Sequence, residues 1–390
     1  MSLSNITLSA AVRQNLLSLQ GTATLLATTQ ERLATGKKVN TALDNPTNFF
    51  TAAGLDARAS DISNLLDSIG NGVQVLQAAN TGITSLSALV DTAKSIANQV
   101  LQQPSGYLTR STITSAAVLP VGSTSSNLVD GTAIKANETL TFAASGGLPA
   151  LTVTFGATES LAQLNTALAP GDLQASLDSS NNLVFTANND NASSTIGALT
   201  LGAAGTATFG AATAPVPDPV SQATRASLVT QYNQILTQIT TTAQDASFNG
   251  INLLNGDSLK MVFDETGKST STITGVIFNP TGLGLKPLAA GTDFLDNNST
   301  NSVLTALNTA SITLRSQASA FGANLSIVQI RQEFNKNIIN VLQTGSSALT
   351  LADSNEEAAN SQALSTRQSI ATSALALANQ SQQSVLQLLR

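Results

Sequence analysis

The stretch Glu31 to Pro46, ERLATGKKVNTALDNP, separates two long helical patterns and so decides how the chain is organised. Charged residues cluster here, although they make up only 10% of the whole chain. Gly36 is predicted to end the first helix, because glycine readily adopts the left-handed conformation found at helix ends. Asp44, Asn45 and Pro46 are predicted to start the next element. We therefore expect a joint between two elements, formed by Gly36, Lys37, Lys38, Asp44 and Pro46.

Before this joint, apolar residues recur at alternating steps of four and three, which is the heptad rhythm of a coiled coil. Arg13 is the only charged residue in this pattern before Glu31. An isolated coiled coil normally carries charged flanks, so we expect this helix to be buried on more than one side. A core helix of an ordinary bundle is the alternative interpretation. The seam residues are Val12, Leu16, Leu19, Ala23, Leu26 and Leu33, with Gln30 in the remaining slot.

After the joint the same rhythm continues for about 30 residues, which predicts a helix about 45 Å long. Asn80 and Ser87 fall at seam positions, where polar residues cost stability but fix the register. Two later segments follow the same template, so we expect helices from both ends of the chain to pack as a rod. The apolar seam residues are Ile62, Leu66, Ile69, Val73, Leu76, Ile83 and Val90, then Leu228, Tyr232, Ile235 and Ile239, and finally Leu307, Leu314, Ala318, Phe321, Leu325, Val328, Ile339, Leu342 and Leu349.

The segment from Pro104 to Pro219 has a different composition, rich in Ser, Thr, Ala, Gly and Asn. Alternating stretches such as ETLTFAA, LTVTFGA, LQASLDS and NLVFTAN predict β-strands, and ESLAQLNTAL predicts one short helix between them. The run APVPDP at Ala214 to Pro219 is predicted to be a stiff linker. A second alternating stretch, around Thr266 and Gly267, predicts a β-hairpin at residues 259–278. The fold class is therefore mainly α, with a β-rich insert and a small hairpin.

Composition excludes several function classes. Histidine, cysteine and tryptophan are absent from the 390 residues. Cysteine nucleophiles, histidine bases and nearly all zinc sites need a thiolate or an imidazole, so they are ruled out. The net charge of −6 argues against nucleic acid, because phosphate binding needs clustered Lys and Arg. No apolar run approaches the roughly 20 residues that span a bilayer, so we expect no membrane partner, and we expect no cleaved secretory signal.

The joint also contains Gly36-Lys37, a fragment of the phosphate-binding loop found in nucleotide-binding proteins. That loop needs glycine where Glu31 stands and Ser or Thr where Lys38 stands. Without the glycine, the backbone amides cannot curl around a phosphate. The motif therefore does not predict a nucleotide site.

The acidic group Asp353, Glu356 and Glu357 could suggest a metal site. Its spacing fits a helix start better. A capping Asp accepts hydrogen bonds from the free backbone amides of the first turn, and acidic residues are stabilised at the positive end of the helix dipole. No glycine is present to form a calcium-loop turn there. We expect no cofactor, no metal and no catalytic residue, and therefore no enzyme.

Three separated stretches resemble the bacterial flagellin family and occur in the family's order. They are RLATGKKVNTALDNPTNFFTAAGL from Arg32, ASFNGINLLNG from Ala246, and ALANQSQQSVLQLLR from Ala376. The resemblance covers roughly residues 1–105 and 221–390 and is nearest to alphaproteobacterial flagellins. One departure is LDNPTNFFTAA, where the family usually has Asp-Asp-Ala-Ala.

The resemblance implies a subunit of the flagellar filament, with three domains. Residues 1–40 and 351–390 would pair as the inner coiled coil, residues 41–105 and 221–350 would form the helical rod with the hairpin, and residues 106–220 would be the exposed outer domain. Gly36, Lys37, Lys38, Asp44 and Pro46 would join the inner coiled coil to the rod. The inner packing residues would be Val12, Leu16, Leu19, Leu26, Leu33, Leu375, Leu377, Val385 and Leu388. The rod-core residues would be Ile62, Leu66, Ile69, Val73, Leu76, Leu314, Phe321, Leu325 and Val328.

The resemblance also implies partners and a location. The chain would be exported unfolded by the flagellar type III apparatus with a secretion chaperone, and it would then assemble into an extracellular homo-polymer between junction and cap proteins. Many flagellins activate Toll-like receptor 5 through an Arg-rich helix, but Thr92 stands at the place of the key arginine, which predicts weak or no recognition. A hook-filament junction protein and a peptidase carried in the insert are the alternatives, and the absence of histidine argues against the peptidase.

Overall fold

A computed structural model describes residues 10–116, 125–202 and 205–388. The prediction of a mainly α fold with a β-rich insert and a small hairpin is confirmed. None of the helices in these three ranges is both long enough and apolar enough to cross a bilayer. The helices are α1 Ala10–Thr35, α2 Pro46–Gln102, α3 Leu161–Leu168, α4 Pro219–Asp245, α5 Asn297–Thr350 and α6 Ser354–Leu388. The strands are β1 Tyr107–Thr109, β2 Thr112–Thr114, β3 Thr139–Phe142, β4 Leu151–Thr154, β5 Leu173–Leu177, β6 Leu183–Ala187, β7 Leu199–Leu201, β8 Val216–Pro217, β9 Ser258–Val262 and β10 Thr270–Thr274.

The chain divides into two compact units, each built from separate segments. The first unit comprises Met1–Asn71, Met261–Ser271 and Ile327–Arg390. The second comprises Gly72–Lys260 and Thr272–Ser326. Both ends of the chain therefore belong to the first unit, while the β-rich insert belongs to the second.

In the first unit, α1 packs against α6, and the early part of α2 packs against the end of α5. The α2–α5 contact is apolar: Ala59, Ile62 and Leu342 are buried, with Leu55 and Ile338 packed beside them. Burying apolar surface of this kind is the main favourable contribution to folding. This packing holds both ends of the chain together despite their separation in sequence.

Helix α5 keeps a strict seven-residue repeat of buried side chains over most of its length. The repeat includes a polar member, Asn335, which is 4% exposed. Asn335 Nδ2 donates a hydrogen bond of 3.0 Å to the carbonyl oxygen of Phe263, in the loop of the β9–β10 hairpin. A buried amide in a heptad seam fixes register, because only one alignment satisfies it. The repeat consists of Leu307, Leu314, Phe321, Val328, Asn335 and Leu342.

The prediction that Asn80 lies in the α2 seam is wrong. Asn80 is exposed, and its neighbour Ala79 is fully buried instead. Ser87 is only half-buried and donates to the carbonyl oxygen of Ile83 at 2.8 Å, whereas Leu86 is fully buried. The other heptad row of α2 is buried as predicted, so only the second row of the seam is displaced, by one position toward the N-terminus. The buried row consists of Ile62, Ile69, Leu76, Ile83 and Val90.

In the second unit, the insert contains two three-stranded antiparallel sheets, ordered β2-β6-β5 and β4-β3-β7. The predicted strands and the short helix are confirmed, and α3 begins with a capping box in which Ser160 and Gln163 bond reciprocally. Phe142 of β3 and Phe185 of β6 are buried and meet edge to face, with ring centroids 5.1 Å apart. The insert therefore has an apolar core of its own.

The prediction that APVPDP is only a linker is wrong. Val216 and Pro217 form β8, which pairs with β1 in a two-stranded sheet. Proline is tolerated there because an edge strand need not use every backbone amide. Asp218 then caps α4, accepting from the Val220 amide at 3.2 Å. The run therefore closes the insert and starts the next helix.

A buried arginine ties three segments together where the insert leaves the helices. Arg225 of α4 is 1% exposed. Its Nη2 donates to the carbonyl oxygen of Pro104 at 2.9 Å, and its Nη1 donates to that of Phe294 at 2.9 Å. Next to Phe294, Asp296 accepts a bond of 3.2 Å from the backbone amide of Ser193 in the insert. These charge-assisted bonds link the end of α2, the insert and the approach to α5.

Candidate functional site

The predicted joint lies in the first unit, where the segment between α1 and α2 meets the segment between α5 and α6. Gly36 follows the last residue of α1 with a φ of +68°, which glycine adopts without strain. Its carbonyl oxygen accepts from the amide of Ala352 at 3.0 Å, and the Lys38 amide donates to the carbonyl oxygen of Thr350 at 2.7 Å. The turn between α1 and α2 is therefore bonded to the turn between α5 and α6.

A second turn in the joint is held by Asp44. Its Oδ2 accepts from the backbone amides of Asn40 at 2.9 Å and Thr41 at 2.8 Å. These bonds to the Thr41 and Asn40 amides hold the pKa of the Asp44 carboxyl below its ordinary value, and the charge of Arg32 acts in the same direction. Pro46 is the first residue of α2, as the sequence predicts. The carboxylate therefore fixes the loop that leads into α2.

Acid is expected to release this turn. Since the folded-state pKa of Asp44 is depressed, its contribution to stability is complete above the ordinary pKa of 3.8 and is lost as the pH falls through the folded value. Amide resonances of Asn40 and Thr41 in an NMR titration should therefore shift with a midpoint below pH 3.8. The Asp44→Asn variant is the control and should lack that transition. A midpoint at or above 3.8 in the parent would contradict the assignment.

Beside the joint lies an open groove with a volume of about 420 Å³. Its lining is mixed: apolar side chains such as Val39 and Phe49 alternate with polar ones that include Lys37 and Asp56. Just outside, Leu43 on the Asp44 turn is 95% exposed. A leucine in water forgoes roughly 2 kcal/mol of burial free energy.

The residues predicted for the inner coiled coil are only partly covered within one chain. Val12 is buried, whereas Leu16 is 38%, Leu33 44% and Leu377 70% exposed. Leu19, Leu26 and Leu375 are half-buried, and the side chains of Val385 and Leu388 lie outside the described residues. Helices α1 and α6 are joined near the joint by a salt bridge of 3.2 Å between Arg32 and Glu357. A single chain therefore leaves much of this apolar seam open.

The residues predicted for the rod core are better covered. Leu66 and Leu325 are half-buried, and the others are buried. Most of these positions lie on helix faces that other parts of the same chain cover. The buried group consists of Ile62, Ile69, Val73, Leu76, Leu314, Phe321 and Val328.

Helix α5 carries a second apolar row that the sequence analysis missed. Ile327, Ile330, Phe334 and Val341 are 53%, 66%, 53% and 66% exposed, respectively. They follow one another at steps of three, four and seven, so they share one face of the helix. We call them the α5 stripe. The spacing of the α5 stripe is visible in the sequence, but only the structure shows that the stripe is exposed while the neighbouring heptad row is buried.

The described residues contain no group of three or more acidic side chains that could hold a metal ion. The acidic residues at 353–357 act as the sequence predicts, since Asp353 Oδ1 accepts from the amides of Asn355 at 2.9 Å and Glu356 at 3.3 Å. These bonds satisfy free amides in the first turn of α6. What the molecule offers is therefore exposed apolar surface on ordered helices.

Two family models match the two ends of the chain. Residues 5–117 match the bacterial flagellin N-terminal helical region, and residues 304–389 match the bacterial flagellin C-terminal helical region. Together the matches cover about half of the chain. Both matched segments are the helical parts that carry the resemblance in sequence.

Flagellins of Caulobacter vibrioides are similar to this chain. Flagellin FljM is 29% identical over 164 residues, covering 42% of this chain and 59% of that protein. Flagellin FljO is 26% identical over 172 residues, covering 44% and 62%. The chain thus spans about three-fifths of the length of these relatives. A solved structure of the Escherichia coli flagellar cap protein FliD aligns at 11% identity over 65% of this chain and 99% of that one, but its TM-score of 0.17 is too low to bear on the fold. The matched family models and relatives agree with the motifs at both ends, and the chain belongs to the bacterial flagellin family.

Proposed function

We propose that this chain is a structural subunit that self-assembles into the helical flagellar filament, the propeller for swimming. The observation that carries the proposal is the exposed apolar surface on α1, α5 and α6 of a single chain. Large apolar side chains in rows on ordered helices mark surfaces that a partner covers. Family membership indicates that the partner is another copy of the same chain. These side chains are Leu16, Leu17, Leu25, Leu33, Ile327, Ile330, Phe334, Val341, Ile370 and Leu377.

The proposed division of labour follows the predicted domains. Residues 1–40 and 351–390 would form the inner coiled coil, residues 41–105 and 221–350 the helical rod, and residues 106–220 the outer domain. The packing of α1 on α6 supports the first pairing, and the insert's own apolar core supports treating it as a separate domain. The apolar seam of α1 and α6 is partly exposed in one chain, which supports the proposal that neighbouring subunits complete its burial. Gly36, Lys37, Lys38, Asp44 and Pro46 would join the inner coiled coil to the rod.

The proposed assembly is heterologous: one face of each subunit contacts a different face of the next. Such contacts build an open helical polymer when the rotation between subunits does not close into a ring. Exposed apolar side chains occur on three different helices, α1, α5 and α6, which supports contacts with more than one neighbour.

The proposed route to the filament is export of the unfolded chain by the flagellar type III apparatus with a secretion chaperone. Assembly would then take place outside the cell, between hook-filament junction and cap proteins. A chain without cysteine cannot form disulfides during such a passage, which is compatible with this route. We propose no enzymatic activity, no cofactor and no contact with nucleic acid or membrane.

Seeded polymerisation of purified monomer tests the proposed function. The monomer should elongate short filament fragments, with growth visible by electron microscopy and as a rise in light scattering. A hook-filament junction protein would bind seed ends without elongating them. Binding without growth would therefore favour that alternative and overturn the proposal.

Weak or absent recognition by Toll-like receptor 5 is also proposed. Thr92 is an exposed, uncharged residue of α2 whose hydroxyl donates to the carbonyl oxygen of Ala88 at 2.9 Å. It offers no cation at the position where the resemblance places the key arginine. Purified monomer should give little signal in a receptor reporter cell line, and the Thr92→Arg variant should give more. A strong response to the parent chain would contradict this prediction.

A further inference from the structure

A groove in the second unit contains a polar group that the fold does not use. Tyr232 of α4 is 1% exposed, and its ring meets Phe294 edge to face, with ring centroids 5.9 Å apart. Tyr232 also lines an open groove, and within the described part of the chain its hydroxyl makes no hydrogen bond. A buried tyrosine normally bonds its hydroxyl, because an unpaired buried donor costs free energy. The hydroxyl is therefore available to a ligand. We call this space the Tyr232 groove.

A hydrogen-bond donor and an acceptor line this groove together. Burial raises the pKa of Tyr232 to about 12, and the negative charge of Asp293 acts in the same direction, so the hydroxyl keeps its proton at neutral pH. Asp293 lines the groove as well. Its Oδ2 accepts from the backbone amide of Ala289 at 2.7 Å, and its Oδ1 has no hydrogen-bond partner among the described residues. Oδ1 can therefore accept from a ligand.

The charges in the Tyr232 groove balance. Lys286 is exposed and lines the groove together with Asp293. In the three described ranges, neither side chain forms a salt bridge. An anion would be attracted by Lys286 and repelled by Asp293, and a cation would experience the reverse. The groove therefore favours a neutral ligand that both donates and accepts hydrogen bonds.

The size and rigidity of the groove also suit a small ligand. Its volume is about 570 Å³, within the range of roughly 300–1,000 Å³ that is typical of ligand pockets. Pro287, Leu288 and Val303 add apolar surface to its lining. Asn233 holds Leu288 in place, since its side-chain amide donates to the Leu288 carbonyl oxygen at 2.8 Å and accepts from the Leu288 amide at 2.9 Å. A wall fixed before binding lowers the entropy cost of binding.

We propose that the Tyr232 groove binds a neutral mono- or disaccharide. Sugar hydroxyls both donate and accept, so they can accept from Tyr232 and Lys286 and donate to Asp293, while the C–H face of the sugar ring packs on the apolar lining. A small zwitterion would pair with the two charges but would leave the apolar lining unused. All the residues that line the groove belong to the second unit, so the proposal does not depend on assembly into a filament.

Saturation-transfer NMR with the full chain as a monomer tests the ligand class. The neutral probes are glucose, galactose, N-acetylglucosamine and maltose, and the charged probes are free glycine as a zwitterion and inorganic phosphate as an anion. At least one sugar should bind at millimolar concentration, and neither charged probe should bind. The absence of binding by all four sugars overturns the proposal. Binding of free glycine without any sugar overturns the ligand class.

The Tyr232→Phe variant tests whether the sugar occupies this groove. The substitution removes only a hydroxyl that makes no hydrogen bond within the described part of the chain, so the variant should unfold at the parent temperature. Its affinity for the sugar should fall about tenfold, because one hydrogen bond is lost. Thr309→Val is the matched control, since it removes an exposed hydroxyl of α5 outside the groove and should leave the affinity unchanged. Unchanged affinity in Tyr232→Phe, or a clear loss of its stability, would overturn the role given to the hydroxyl.

Discussion

A chain carrying Ile330→Asp and Phe334→Asp is expected to fold like the parent and to fail to elongate filament seeds. Both side chains belong to the α5 stripe and are more than half exposed in a single chain, at 66% and 53%. Substitutions at such positions usually change folding stability by less than about 0.5 kcal/mol. In an assembled interface, two carboxylates would be buried without partners, at a cost of several kcal/mol. Elongation should therefore be lost altogether.

Gln329→Asp is the matched control for this experiment. Gln329 is an exposed neighbour on α5 and lies outside the stripe. The Gln329→Asp substitution introduces the same acidic side chain into the same helix, so this variant should elongate seeds at close to the parent rate. Circular dichroism and thermal unfolding of all three chains check that the monomers are equally folded. Normal growth of the double variant would show that the α5 stripe faces solvent in the filament.

Arg225→Met is expected to destabilise the second unit by about 3 kcal/mol. The substitution removes the charged donor to the carbonyl oxygens of Pro104 and Phe294. It leaves the Phe294 oxygen buried, and the Pro104 oxygen partly buried, without that partner. Methionine fills much of the same space, so the loss reflects the hydrogen bonds more than a cavity. Because these bonds link the end of α2 to the approach to α5, the insert should detach or unfold at lower denaturant concentration than in the parent.

Urea unfolding with limited proteolysis measures this effect. Cleavage within residues 106–220 should begin at lower urea in Arg225→Met than in the parent chain. Arg315→Met is the control, because Arg315 is an exposed arginine of α5 in the same unit and bonds only locally, to Ser311 at 2.9 Å. Equal unfolding midpoints for the two variants would mean that Arg225 does not hold the segments together.

Predictions from local sequence were confirmed where the structure is held by neighbours in the chain. Gly36 ends α1, Pro46 starts α2, and Asp353 caps α6. Each of these depends on the backbone preference of one residue or on hydrogen bonds within a few positions. The four alternating strands of the insert and the capping box of α3 were predictable for the same reason.

Predictions failed where the answer depended on which helix face the rest of the chain covers. Asn80 was placed in the α2 seam by a strict heptad count, but the chain buries Ala79, one position earlier, and leaves Asn80 exposed. Asn335 was not among the predicted seam residues of α5, yet Phe263 in the hairpin loop supplies the acceptor that makes its burial tolerable. No local pattern around Arg225 indicates that Pro104 and Phe294 will accept its bonds.

The sequence by itself determined the family, the mainly helical fold and the position of the joint, because helix ends, heptad rows and strand alternation are local properties. Only the tertiary structure decided which apolar rows are buried within one chain and which remain exposed. The heptad row of α5 is buried while the α5 stripe on the same helix is exposed, and Leu43 stands free on its turn. Hydrophobic patterning shows that a side chain can be buried, but whether its own chain buries it depends on which helices meet in three dimensions.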